Sequence, residues 1–177
     1  MNILIDLSIL KNVNCGLGQV ALNYGYYFRD VYQPVANEQI YLLVPKHFVG
    51  QFGHAVKYVV ARKIYRLFPW LIGQRFDVWH AIHQLSRYKP YCRKYVLTIH
   101  DFNFVYEKRG RTITKYLRKI QRKVDAADKI VCISQFAKHE TEKFMHLHGA
   151  PIDVVYNGIE RIDLQPDSVP VQVDAER

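Results

Sequence analysis

Apolar residues follow two rhythms along this chain: short unbroken runs, and longer stretches in which they return every three or four positions. A run such as Tyr95-Val96-Leu97-Thr98-Ile99 has no helical spacing and suits a strand covered on both faces of a parallel sheet. Runs of this kind predict strands over 2–6, 39–44, 56–60, 77–81, 95–99, 128–134 and 152–156. The slower rhythm predicts helices over 19–30, 112–127 and 135–148. In the first helix Leu17, Val20, Ala21, Tyr24, Phe28 and Val31 share a face. In the second the inward stripe is Ile113, Tyr116, Leu117, Ile120, Val124 and Ala127. The third has Phe136, Ala137, Phe144 and Leu147 among its apolar positions and stops at Gly149-Ala150-Pro151. Alternation of the two element types predicts one doubly wound, mostly parallel, Rossmann-like α/β sheet of about seven strands, with helices on both faces and right-handed connections. Past Glu160 the pattern collapses, so a domain over 1–160 is followed by a linker or tail over 161–177.

In such a sheet, chemistry gathers where strands end, because the loops leaving the carboxyl ends line the ligand crevice. His100-Asp101 follows the central strand directly. The pair is either a site or a structural histidine followed by a turn-capping aspartate, and the residues alone leave both open. Asn12 to Gly18 forms a glycine-containing loop between the first strand and the first helix. Strand, glycine loop and helix start together suit a phosphate, through close backbone approach, free N–H groups and the helix dipole. Gly16-Leu17-Gly18 lacks the third glycine and the downstream acid of a dinucleotide fingerprint, so a plain tight turn is equally consistent. His80 and His83 stand three apart with no third ligand nearby, which argues against a metal. The segment 63–72, from Lys63-Ile64-Tyr65 to Trp70-Leu71-Ile72, is dense in aromatics and edged with base. It reads as a buried connection or, alternatively, as a membrane-surface patch.

Composition narrows the partners. The chain has 177 residues, 49% hydrophobic and 23% charged, with a net charge of +9 and a pI near 9.5. That excess of base points to an anionic partner: nucleic acid, anionic headgroups or phosphorylated small molecules. On the 112–127 helix, Lys115, Arg118, Lys119, Arg122 and Lys123 are placed on the outer side, joined by Arg109 and Arg111. This face is solvated surface or a contact for membrane or polyanion. No run approaches the ~20 apolar residues of a membrane span, and no basic segment precedes an apolar one at the start, so no signal peptide is expected. Cys15, Cys92 and Cys132 are scattered and read as free thiols of a cytoplasmic protein.

Four segments stand in order along the chain: Cys15-Gly16-Leu17-Gly18, Leu97-Thr98-Ile99-His100-Asp101, Ala127 to Phe136 (ADKIVCISQF) and Ile152 to Ile159 (IDVVYNGI). Together they resemble the amino-terminal half of a family 4 glycosyltransferase with the two-Rossmann GT-B architecture. The resemblance implies retaining transfer of a hexose from a nucleotide-sugar to a glycan or lipid-linked acceptor, and polysaccharide biosynthesis as the setting. It implies that this half mainly holds the acceptor and needs neither metal nor other cofactor. By the same likeness Gly16, Leu17 and Gly18 lie near the donor phosphates and the acceptor, His100 lies against the transferred sugar with Asp101 beside it as the catalytic pair, and Ser134 and Asn157 bind substrate in the same cleft. The second, donor-binding half has no counterpart in these residues, so the sequence reads as a truncated form, a fragment or half of a split enzyme, inactive alone. Against the transferase stands a non-enzymatic Rossmann-like module that binds nucleic acid or anionic membrane through its basic face. Another GT-B or flavodoxin-like enzyme acting on a phosphorylated small molecule is a further alternative. No nucleophile-elbow pattern supports a Ser-His-Asp triad.

Overall fold

Each predicted apolar run becomes a strand of one sheet. They are β1 (Asn2–Asp6), β2 (Gln39–Val44), β3 (Lys57–Val60), β4 (Phe76–Ala81), β5 (Cys92–Ile99), β6 (Lys129–Cys132) and β7 (Ile152–Val154). A computed structural model describes residues 1–158. Every ladder is parallel, and the order across the sheet is β3-β2-β1-β4-β5-β6-β7. The segment 161–177 lies outside the described residues.

Successive side chains of a strand face opposite sides of a sheet, so each buried strand feeds two cores. Ile5, Leu42 and Val44 pack under α1 (Gly16–Asp30) with Ala21 and Phe28. Leu4, Leu43, Trp79, Leu97 and Ile99 belong to the other core, with Ile120 and Val124 of α3 (Arg111–Val124) and Ala137 of α4 (Gln135–Phe144). Ile120 and Val124 are fully sequestered, which stabilises α3 on the sheet by about 1.5–3 kcal/mol per side chain. A short α2 (Asn103–Glu107) and a 3-10 turn over Ser8–Lys11 were not foreseen, being too brief to show a period.

Several boundaries move, each for a physical reason. α1 begins at Gly16, so the glycines expected in a loop form its first turn. Its contact line runs through Gly18, Ala21, Gly25 and Phe28, while Val31 is exposed. At Gly25 the Phe52 ring fills the place of a side chain: a Cβ there would stand 2.3 Å from Phe52 Cε1. α4 stops at Phe144 rather than His148, and Phe136 projects outward with 61% exposure.

Two expectations are overturned. The segment 63–72 is not a buried connection: it forms 3-10 turns at Lys63–Arg66 and Pro69–Ile72, and Ile64, Leu67, Phe68, Trp70 and Leu71 are exposed. Tyr65, Arg66, Pro69 and Ile72 tie it down, Tyr65 and Ile72 by packing against the core shared with α3 and Arg66 by lying against the Tyr88 ring. Lys123 does not belong to the outer basic face. It is half-buried, and its Nζ donates to the Tyr88 carbonyl. Lys123 borders the Ile120–Val124 stripe, and a long lysine stem lies along apolar surface while its head seeks a polar partner.

Candidate active site

From β1 the chain moves to β2 and β3 on one side, then crosses back to β4 on the other. The order therefore reverses between β1 and β4, and ligands bind outside the carboxyl ends at such a point. A hollow of about 340 Å³ lies there, lined by Ser8 and Lys11 after β1, Leu17 of α1, Arg66 after β3, and His83 and Arg87 after β4. A larger, shallow depression of about 690 Å³ lies beside Arg75, Asp77 and Arg93 at the amino-terminal ends of β4 and β5. Strand polarity directs the loops away from that edge, so we assign the site to the smaller hollow.

Asp6 ends β1, two residues before Ser8 of the hollow, and is completely buried. Its carboxylate is engaged on both oxygens: Oδ1 accepts from the Ser8 N–H at 3.0 Å, and Oδ2 accepts from the Ser86 hydroxyl. Burial pushes the His83 imidazole down to about 4, against an opposing pull from Asp6 and with help from His100, Lys123 and Lys11. The Leu85 N–H donates to His83 Nδ1 at 3.2 Å, which assigns the proton of the neutral ring to Nε2. His80 is held apart from it, with Nε2 2.8 Å from Thr98 Oγ1, and burial takes it to about 4 as well. Lys123 is likewise depressed by burial, with Asp6 opposing.

His100 is buried directly after β5. Its Nε2 lies 2.8 Å from the Ile82 carbonyl, which only an Nε2–H can satisfy. Burial lowers its pKa, with the Ile82 bond and Asp101 opposing. The neutral ring thus carries its proton on Nε2 and keeps a lone pair on Nδ1. Gln84 clamps the adjoining peptide units: its Oε1 accepts from the His100 N–H at 3.1 Å, and its Nε2 donates to the Asp101 carbonyl at 2.8 Å. This buried glutamine fastens the loop after β4 to the loop after β5.

The remaining expected residues divide. Asp101 is half-buried and its Oδ1 accepts from the Asn103 N–H at 3.2 Å, the local turn that its residue type allows. Ser134 caps α4, accepting from the Ala137 N–H at 3.0 Å. Leu17 lines the hollow and Gly16 is exposed at the start of α1. Gly18 has a packing reason to be glycine: a Cβ would stand 2.2 Å from the Asn12 carbonyl oxygen and 2.8 Å from Val13 Cα. Asn157 is exposed beyond β7, four strands from β1. Neighbouring strands are about 4.8 Å apart, so it shares the edge but not the hollow. Asp6, Gln84 and the cations Lys11, Arg66 and Arg87 carried no motif in the sequence; only the folding of three separate loops together reveals them. Among the described residues no group of three or more His, Cys, Asp or Glu side chains is placed to hold a metal.

The model of Glycosyltransferase Family 4 matches residues 27–161, more than half of the chain. The chain belongs to glycosyltransferase family 4. No curated protein matches it. Membership makes this a glycosyltransferase domain whose partners are, in general terms, a sugar donor and an acceptor. The matched span takes in His100, Asp101, Ser134 and Asn157 but begins after Gly16, Leu17 and Gly18.

Proposed function

We propose that this chain is the acceptor-side half of a retaining glycosyltransferase, moving a hexose from a nucleotide-sugar to a glycan or lipid-linked acceptor and working with a donor-binding domain. The observation that carries the reading is His100 at the carboxyl edge, fastened through its N–H by Gln84 and through Nε2 by the carbonyl of Ile82, the residue before His83 of the switch-point hollow. In the transfer, the bond from the anomeric carbon to the diphosphate oxygen breaks. A bond to the acceptor hydroxyl oxygen forms, and the hydroxyl proton leaves with the diphosphate. The sugar gains positive character and the diphosphate negative charge. A neutral imidazole beside the sugar adds no opposing charge, and its Nδ1 lone pair accepts from a sugar hydroxyl. The first-turn N–H groups of Gly16, Leu17 and Gly18 have no partner within α1 and suit the developing anion. Asp101, Ser134 and Asn157 extend the same edge. The donor enters as substrate, and the proposal assigns no metal or other cofactor.

Turnover of the full-length protein with a panel of nucleotide-sugars tests this. His100→Ala is expected to lower kcat roughly 10²–10³-fold, by analogy with loss of one positioned hydrogen-bonding group. Near-normal turnover in a variant with an unchanged urea midpoint would remove the assigned role. Binding that ignores sugar nucleotides and falls steeply with salt would favour the non-enzymatic module.

We further propose peripheral attachment to the cytoplasmic face of an anionic membrane. Arg111, Lys115, Arg118, Lys119 and Arg122 line an open surface on α3, and among the described residues no carboxylate forms an ion pair with them. The exposed Phe68 and Trp70 lie over the same face of the sheet, because Tyr65 and Ile72 pack into the core that α3 covers. Base beside exposed aromatics matches a headgroup region. No described helix is long and apolar enough to cross a membrane.

A further inference from the structure

Three cations meet at the switch-point hollow from three separate elements: Lys11 at the end of the 3-10 turn after β1, Arg66 in the turn after β3, and Arg87 after β4. Like charges brought together by folding raise the energy of the empty arrangement, and nothing among the described residues neutralises them. Among the described residues no carboxylate pairs with any of the three, and Asp6, at the end of β1, already has both oxygens engaged. Arg66 is fixed with its guanidinium carbon 5.4 Å from the centre of the Tyr88 ring, yet its buried Nε has no hydrogen-bond acceptor among the described residues. The Lys11 ammonium is held below its ordinary value, first by Arg87, then by burial and Arg66, as expected of a cation crowded by others.

We infer that Lys11, Arg66 and Arg87 form a subsite for a phosphate group carried by the acceptor, so that the acceptor is a phosphorylated sugar or glycolipid and not a neutral glycan. This rests on the transferase reading, in which this half holds the acceptor. Arginine presents a planar fork of N–H donors that suits phosphate, and lysine adds a mobile point charge. The hollow, about 340 Å³, lies at the lower end of the range for small-molecule sites and has room for a phosphate with an attached ring. His83, neutral on its wall, contributes a hydrogen-bonding group without competing charge.

Backbone amide NMR titration of the full chain tests the assignment with a hexose 1-phosphate, the unphosphorylated hexose, short-chain phosphatidic acid and a nucleoside diphosphate. The hexose 1-phosphate is expected to bind saturably and shift the amides of Ser8 to Asn12, while the plain hexose gives no saturable shift. Arg66→Ala and Arg87→Ala, each folded by circular dichroism, are expected to weaken binding about tenfold or more, as loss of a charge-assisted hydrogen bond implies. Phosphatidic acid binding more tightly than the sugar phosphate would mark the group as a lipid headgroup phosphate, and the reverse order as a glycosyl phosphate; either supports the subsite. Non-saturable shifts, or full affinity retained in both arginine variants, would overturn it. A nucleoside diphosphate binding about tenfold tighter than the hexose phosphate, with the same dependence on Arg66 and Arg87, would give the site to the donor and overturn the acceptor assignment. This assay needs no turnover, so its failure leaves the transferase reading standing, and absence of turnover leaves the subsite standing.

Discussion

Mild acid should weaken this domain well before its carboxylates protonate, because buried histidines under the carboxyl edge are neutral. Burial takes both His80 and His83 to about 4, against an unfolded value near 6.5. Between those values the unfolded chain binds more protons than the folded one, so stability rises with pH and is lost as pH falls. The loss begins near pH 6.5 and continues to about pH 4. Its limiting slope is about 1.4 kcal/mol per pH unit for each histidine. From pH 7.5 to 5.5 each contributes about 1.3 kcal/mol, and the pair about 2.6 kcal/mol. His100, also lowered by burial, acts in the same direction. For a domain of this size that loss corresponds to a fall in Tm of about 5–10 °C. Urea unfolding of the whole chain at half-unit steps of pH measures it directly. In His83→Gln the slope should fall by nearly half. Its Nδ1 accepts a hydrogen bond from Leu85, and a glutamine carbonyl offers a similar acceptor without the titration. A urea midpoint that stays level or rises from pH 7.5 to 5.5 would refute the reasoning, since it would mean these rings are charged in the folded state.

Two further outcomes follow from the same geometry. Gly18→Ala should cost about 3 kcal/mol or more, because its Cβ would meet backbone atoms of Asn12 and Val13 that cannot swing aside. Gly16→Ala has open space around its Cβ and should be neutral or slightly stabilising; urea midpoints of the two variants check the contrast, and an undisturbed Gly18→Ala would show that the loop does not press on α1. Co-sedimentation of the whole chain with anionic vesicles should be strong at low salt and weaker at 0.15 M, since each surface Lys or Arg contributes about 1 kcal/mol. The triple reversal Lys115→Glu, Arg118→Glu and Arg122→Glu should abolish it, and binding that survives the reversal would clear α3 of the role.

The sheet was legible because parallel strands buried on both faces must be apolar throughout, and β5 and β6 advertise this without ambiguity. The edge position of His100 and Asp101 followed from the same logic. What the pattern missed depends on tertiary neighbours. Whether Ile64, Leu67 and Trp70 are covered depends on what packs over the turns that carry them, and no periodicity records that. Gly18 looked like a phosphate glycine, although the demand it answers is the close approach of Asn12 and Val13. Gln84 carries no local signal at all. Its importance arises because the loops after β4 and β5 leave adjacent strands and meet over one amide group.

Lys123 shows how one misplaced charge alters the function assigned to a surface. Counted with the outer residues of α3, it makes the basic face and the site appear as one positive field. The structure separates them: Lys123 turns inward to Tyr88 and acts within reach of Asp6 and His83, whereas Arg118, Lys119 and Arg122 remain outside. A half-buried ammonium bound to a carbonyl offers little to a bilayer, while the exposed five need no rearrangement to meet one. On the two proposals made above, the positive charge of this domain serves two ends through different elements. Lys11, Arg66 and Arg87 face a small hollow where a single phosphate fits, and α3 faces outward where only an extended anionic surface can engage all of its cations. Charge reversal on α3 should for that reason leave hexose 1-phosphate binding intact, and loss of Arg66 or Arg87 should leave vesicle binding intact.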